Sequence, residues 1–280
     1  MRRPLLALLL LAAAPASAAE LDLLGPARAI SHSSSASRDT FALSLLALPH
    51  RVLSGGGDFG VLSLSARGLT LRLGVQAMME LESEGEVTGF DGMPVADIHF
   101  WRGVWGYSAA LSLDDLATRW LGARGALEAT FSLRHESEHY TGSNEGGDAI
   151  DYSDRPHVGN FAMLDLAARV PVGDVDLVAR LQEKQFLGGG GYRLGPGFDL
   201  HARWRRWPRL HPFASLFGEL LVGRDRYPDD RLLRGLLGVI LPSRAGDIYL
   251  FLSADVGNRK GLAVTTEERT LGLGVRFAFY

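Results

Sequence analysis

One pattern repeats down most of this chain: apolar and polar residues alternate with a period of two. Over 126–139 (ALEATFSLRHESEH), Leu127, Ala129, Phe131, Leu133, His135, Ser137 and His139 share one face. Glu128, Thr130, Ser132, Arg134, Glu136 and Glu138 share the other. Successive strand side chains point to opposite faces, so the run is a strand with one apolar and one charged side. Over 69–82 the same alternation sets Leu69, Leu71, Leu73, Val75, Ala77, Met79 and Leu81 against Arg72, Gln76, Glu80 and Glu82. It returns over 160–170, 175–184, 198–205 and 248–256. Runs of about ten residues are what a tilted strand needs to cross a bilayer.

The N-terminus reads as an export signal. Arg2 and Arg3 precede the apolar run 5–14, and Ala16-Ser17-Ala18 supplies an A-x-A cleavage site. The expected division is a signal peptide over 1–18, a lead over 19–39 and a β-barrel domain over 40–280. That apolar run is too short to span a membrane comfortably as a helix, and nothing after it comes closer.

A soluble β-sandwich also alternates, but its strands are shorter and its polar face is outside. The signal and the long strands favour an all-β, antiparallel transmembrane β-barrel. The last segment, TLGLGVRFAFY, resembles the terminal strand of Gram-negative outer-membrane barrels, with Tyr280 one residue out of the apolar register. The resemblance implies a bacterial outer-membrane location.

About twelve strands are expected, near 40–51, 57–66, 69–82, 96–112, 124–138, 158–171, 173–187, 192–206, 210–225, 230–242, 245–257 and 267–280. With both termini periplasmic, tight turns such as PVGD (171–174) fall on the periplasmic side. The longer polar links 83–95, 139–157 and 258–266 fall outside, as in known barrels.

The inward register carries both signs of charge. Arg72, Arg134, Arg169, Arg180, Lys184, Arg203 and Arg234 share it with Glu80, Glu82, Glu128, Glu136, Asp165, Asp176, Asp199, Glu219 and Asp255. Phe213, Phe217, Tyr249 and Phe251 add bulk. In a barrel of this size such groups pair across the interior, so a filled polar lumen is expected and not a wide pore. A net charge of −3 gives no basis for nucleic-acid binding, and the absence of cysteine removes disulfides and thiolate metal sites. Outer-membrane lipids are the expected partners, and the sequence assigns no oligomeric state.

His135 and Ser137 break the apolar register of the fifth expected strand. That strand climbs to the external loop, so both residues fall near the outer-leaflet interface and point toward lipid. Asn160, on the next strand, falls in the same register. Antiparallel neighbours face each other at about 5 Å, so Asn160 is within reach of the His135 ring. Ser137 as nucleophile, His135 as base and Asn160 as orienting group follow triad logic.

His135-Glu136-Ser137 with Asn160 resembles the outer-membrane phospholipase A family, and outer-membrane lipid A deacylases use a similar His-x-Ser arrangement. The resemblance implies a serine esterase acting on lipid. The chain departs from the phospholipase pattern by carrying Glu138-His139 where that family continues Asn-Gly, and by a longer spacing to the Asn. The stretch HESEHYTGSNE also resembles an H-x-S-S-H-x-G-D-E run in an uncharacterised family of outer-membrane barrels.

Two readings stand side by side. One is a lipid acyl-ester hydrolase. The other is a non-enzymatic barrel (structural, adhesin or narrow small-solute channel) with a polar cluster at headgroup level, where such residues cost little. His139 is an alternative base, and Glu183 is an unexpected acid in the lipid register. Glu145, Asp148, Asp151 and Asp154 offer the oxygen ligands calcium takes, or simply solvate a loop. No cofactor is otherwise assigned. The 188–191 glycine run lacks the helix that a phosphate-cradling loop requires.

Overall fold

A computed structural model describes residues 40–47, 51–83, 86–88, 94–96, 100–140, 158–188, 192–223, 229–243, 246–257 and 268–279. The expected signal peptide over 1–18, the expected lead over 19–39, the 258–266 link and most of the 139–157 link lie outside these residues.

In chain order the elements are β1 (Thr40–Ala47), β2 (Arg51–Ala66), β3 (Leu69–Ser83), β4 (Glu86–Thr88), β5 (Pro94–Ala96), β6 (Phe100–Leu113) and α1 (Asp114–Leu121). There follow β7 (Ala126–Tyr140), β8 (Val158–Val172), β9 (Val175–Gly188), β10 (Tyr192–Trp204), β11 (His211–Gly223), β12 (Asp230–Pro242), β13 (Gly246–Gly257) and β14 (Glu268–Phe279). Twelve of the strands form one closed antiparallel barrel in which β1 pairs with β14, while β4 and β5 form a separate two-stranded ribbon. Closure leaves no edge strand, so every strand finds its backbone partners within the sheet.

The alternation divides cleanly. Leu69, Leu71, Leu73 and Val75 on β3, Phe131 and Leu133 on β7, Leu164 and Leu166 on β8, and Leu250 and Leu252 on β13 are exposed on the outside. Such a belt is stable only against lipid. Glu128, Arg134, Glu136, Asp165, Arg169, Asp176, Arg180, Lys184, Asp199, Arg203, Glu219, Arg234 and Asp255 are buried inside.

The lumen is filled. Arg234 donates from Nε and Nη2 to the two carboxylate oxygens of Asp255, each at 2.8 Å, and Ser253 Oγ donates to Asp255 at 2.9 Å. Lys184 pairs with Glu219, which also accepts from Gln182 Nε2 at 2.9 Å. Gln182, Gly197 and Glu219 occupy one rung of β9, β10 and β11. A Cβ at Gly197 would lie 2.6 Å from Gln182 Nε2, so the glycine lets the amide cross an entire strand. Arg203 Nη1 donates to Asp247 at 2.8 Å and its Nε to His211 Nδ1 at 2.9 Å.

The interior is less uniformly polar than the charge pattern suggests. Phe213, Phe217, Leu232, Leu236, Ile240, Tyr249, Phe251 and Ala278 cluster inside β11–β14. Phe161, Met163, Phe186, Tyr192 and Leu221 form a second cluster near the ends of β8–β11 that carry the longer links. Apolar clusters therefore sit among the buried charges along β8–β14, and Arg234, Asp255 and Arg276 are enclosed within the same β11–β14 wall as the larger cluster.

Three local features depart from the alternation reading. β1 stops at Ala47 and β2 begins at Arg51, not near 57, because Gly55, Gly56 and Gly57 are paired with both β1 and β3. The strand expected from 96 starts at Phe100. The link 113–123 contains α1, whose first turn carries Asp114 and Asp115 and whose last turn carries Arg119, favourable to the helix dipole. Thr70 Oγ1 donates to Asp114 at 2.8 Å, fastening the helix to β3.

Candidate functional site

Strand register builds the site. Trp105 on β6, His135 on β7 and Asn160 on β8 occupy one rung of the outer face. The next rung toward the barrel centre is Tyr107, Leu133 and Ala162, followed by Ala109, Phe131 and Leu164. The rung on the other side is Gly103, Ser137 and Val158. A polar rung therefore caps an apolar strip, near the strand ends joined by the 141–157 link. By the barrel rule of short periplasmic turns, this is the level of the outer-leaflet headgroups.

The structure brings His135 and Asn160 into direct contact: His135 Nδ1 and Asn160 Oδ1 are 2.9 Å apart. A carbonyl oxygen only accepts, so this contact is a hydrogen bond in the tautomer that carries its proton on Nδ1, which leaves Nε2 as the acceptor nitrogen. The ring also stacks on Trp105, with centroids 4.3 Å apart and planes 30° from parallel. Held by that contact and a facing indole, the imidazole has a restricted orientation.

Asn160 adjoins a bulge. It pairs with Gly188 while Phe161 pairs with Phe186, so Leu187 is the extra residue of β9. Bulges re-aim neighbouring side chains. Here the disruption falls beside the residue that holds the histidine.

Ser137 lies one rung from His135 on the same strand face, a Cα separation of about 6.6 Å in extended chain. Although in the outward register, it is only 7 % exposed. Gly103 stands opposite it and offers no side chain.

The remaining candidates stay apart from this group. Glu183 is exposed on the outer face but pairs with Leu164 on β8 and Pro196 on β10, two strands from His135. His139 pairs in the ladder with Trp101. Glu145, Asp148, Asp151 and Asp154 lie outside the described residues. Among the described residues no cluster of three histidine or carboxylate side chains is placed to hold a metal.

Trp105 was not evident from the sequence. The signal available is an aromatic in the outward register of β6, but pairing it with His135 requires the register across the helix-containing link 114–125.

No family profile matches the chain, and no curated protein sequence matches it. Solved structures do. An outer-membrane channel from Pseudomonas putida F1 is similar with a TM-score of 0.50 at 11% identity, covering 89% of this chain and 97% of that one. OmpT of Vibrio cholerae is similar at 0.45 and 9% identity, over 86% of this chain and 95% of that one. LpxR from Salmonella typhimurium is similar at 0.42 and 10% identity, over 86% and 99%. At such identities the likeness concerns the fold alone. The likeness to the Pseudomonas channel, together with the outward apolar belt, makes this chain a β-barrel of the bacterial outer membrane.

Proposed function

We propose that the barrel is a lipid acyl-ester hydrolase working at its outer, lipid-facing surface. The observation that carries the reading is the 2.9 Å bond between His135 Nδ1 and Asn160, placed above an apolar strip suited to acyl chains. In this reading His135 Nε2 takes the Ser137 hydroxyl proton as the oxygen attacks an acyl carbonyl. The tetrahedral intermediate collapses, and the departing alcohol receives that proton from His135. Water, activated by the same imidazole, then releases the fatty acid. Asn160 and Trp105 act by holding the ring. A calcium ion held by Glu145, Asp148, Asp151 and Asp154 would supply positive charge, and no step depends on it.

A second reading has its own support. The burial of Ser137 and the packed lumen suit a non-enzymatic barrel whose polar rung marks the membrane boundary. The packing argues against a solute channel within that reading. A serine-reactive fluorophosphonate separates the two. The hydrolase reading expects one covalent label that is lost in both Ser137→Ala and His135→Ala; absence of labelling, or labelling unchanged in both, favours the non-enzymatic barrel.

A further inference from the structure

We propose that the turn between β10 and β11 binds the phosphate of an anionic phospholipid in the periplasmic leaflet. This rests on a different surface from the His135 site and does not depend on hydrolysis. The turn, 205–210, reads Arg-Arg-Trp-Pro-Arg-Leu. It is closed by the Leu210 N–H donating to the Trp207 carbonyl at 3.3 Å. The Arg205 N–H donates to the Asp174 carbonyl at 2.7 Å, tying the turn to the one between β8 and β9. Pro208 fixes its own φ, so the turn is a stiff platform.

Its cations are unequally engaged. Arg205 is committed to Asp176, a carboxylate that Arg124 also approaches at 3.7 Å. Arg206 and Arg209 are exposed and form no ion pair or hydrogen bond among the described residues. The two joined turns thus set three arginines against Asp174 and Asp176, with both unengaged charges on the β10–β11 side.

Position supplies the occupant. Trp204 and Leu210 flank the turn and are exposed, as are Val172 and Leu177 on the adjoining strands, so the apolar belt reaches this rim. Trp207, between the two free arginines, is 52 % exposed. Indole at the edge of an apolar belt sits at headgroup depth, and guanidinium beside it meets phosphate, which its planar fork binds in two-point fashion. A zwitterionic headgroup brings its own ammonium to that phosphate; an anionic one leaves the charge for the protein.

The test uses the full folded barrel in detergent micelles, given equal amounts of phosphatidylglycerol and phosphatidylcholine with matched chains. Native mass spectrometry reads the lipid retained. The proposal expects phosphatidylglycerol to be preferred, and the preference to fall roughly fivefold for each arginine removed in Arg206→Gln and Arg209→Gln. Trp207→Phe should keep most of it. Unaltered heat-modifiable migration verifies that the variants are folded. Equal retention of both lipids, or an undiminished preference in the double variant, overturns the proposal. So does displacement of the retained lipid by equimolar glycerophosphoglycerol, which lacks acyl chains.

Discussion

His135 and Asn160 face each other across β7 and β8, and the 2.9 Å bond between them lies on the lipid side of the barrel. Asn160→Ala removes the acceptor that fixes the Nδ1 proton. One such bond is worth about 1–1.5 kcal/mol, so kcat on an acyl ester should fall about tenfold with KM little changed. Trp105→Phe should retain more activity than Trp105→Ala, because a phenyl ring still stacks on the imidazole. Steady-state kinetics of the three purified variants checks both statements.

Inside the wall, Arg234 and Asp255 form a two-point pair with both side chains almost fully enclosed. Asp255→Ala leaves a buried guanidinium without its carboxylate, a loss of about 3–5 kcal/mol. Replacing both residues by Met and Leu should recover most of that, since two desolvated charges disappear together. Urea unfolding of the refolded barrel, followed by its tryptophan fluorescence, measures the difference.

Most of the fold was legible because a barrel imposes period two on every strand. Leu133 and Arg134 declare opposite faces whatever lies elsewhere in the chain. The helix 114–121 was not seen, although Asp114, Asp115 and Arg119 carry helix-end signals, because the segment was short and placed as a link between strands. Gly55 and Gly56 fall between the expected strands 40–51 and 57–66, yet neighbours on both sides supply the pairing that their propensity lacks. The inward Phe161, Met163, Phe186 and Leu221 were obscured by a register read for its charges. At the candidate site, His135, Ser137 and Asn160 stood out as polar residues in an apolar register. Trp105 did not, since an outward tryptophan is ordinary in any barrel until its neighbour across the sheet is known.

Conductance follows from the filling of the lumen. Buried aromatic clusters and paired charges occupy the interior of both halves of the wall. The intact barrel in a planar bilayer should show no large, stable current steps. Phe213→Ala with Phe217→Ala removes two side chains from the β11–β14 cluster and should introduce measurable steps. Large steady openings of the unaltered protein would contradict a packed interior.

The central claim is that Ser137 and His135 act together on an acyl ester. The most direct measurement is hydrolysis of a fluorogenic acyl ester by the purified, folded barrel, run beside Ser137→Ala and His135→Ala. The account predicts turnover by the unaltered protein and a loss of at least about a hundredfold in each variant, the scale of removing a nucleophile or its base. No turnover at all, or turnover that both variants retain, contradicts it.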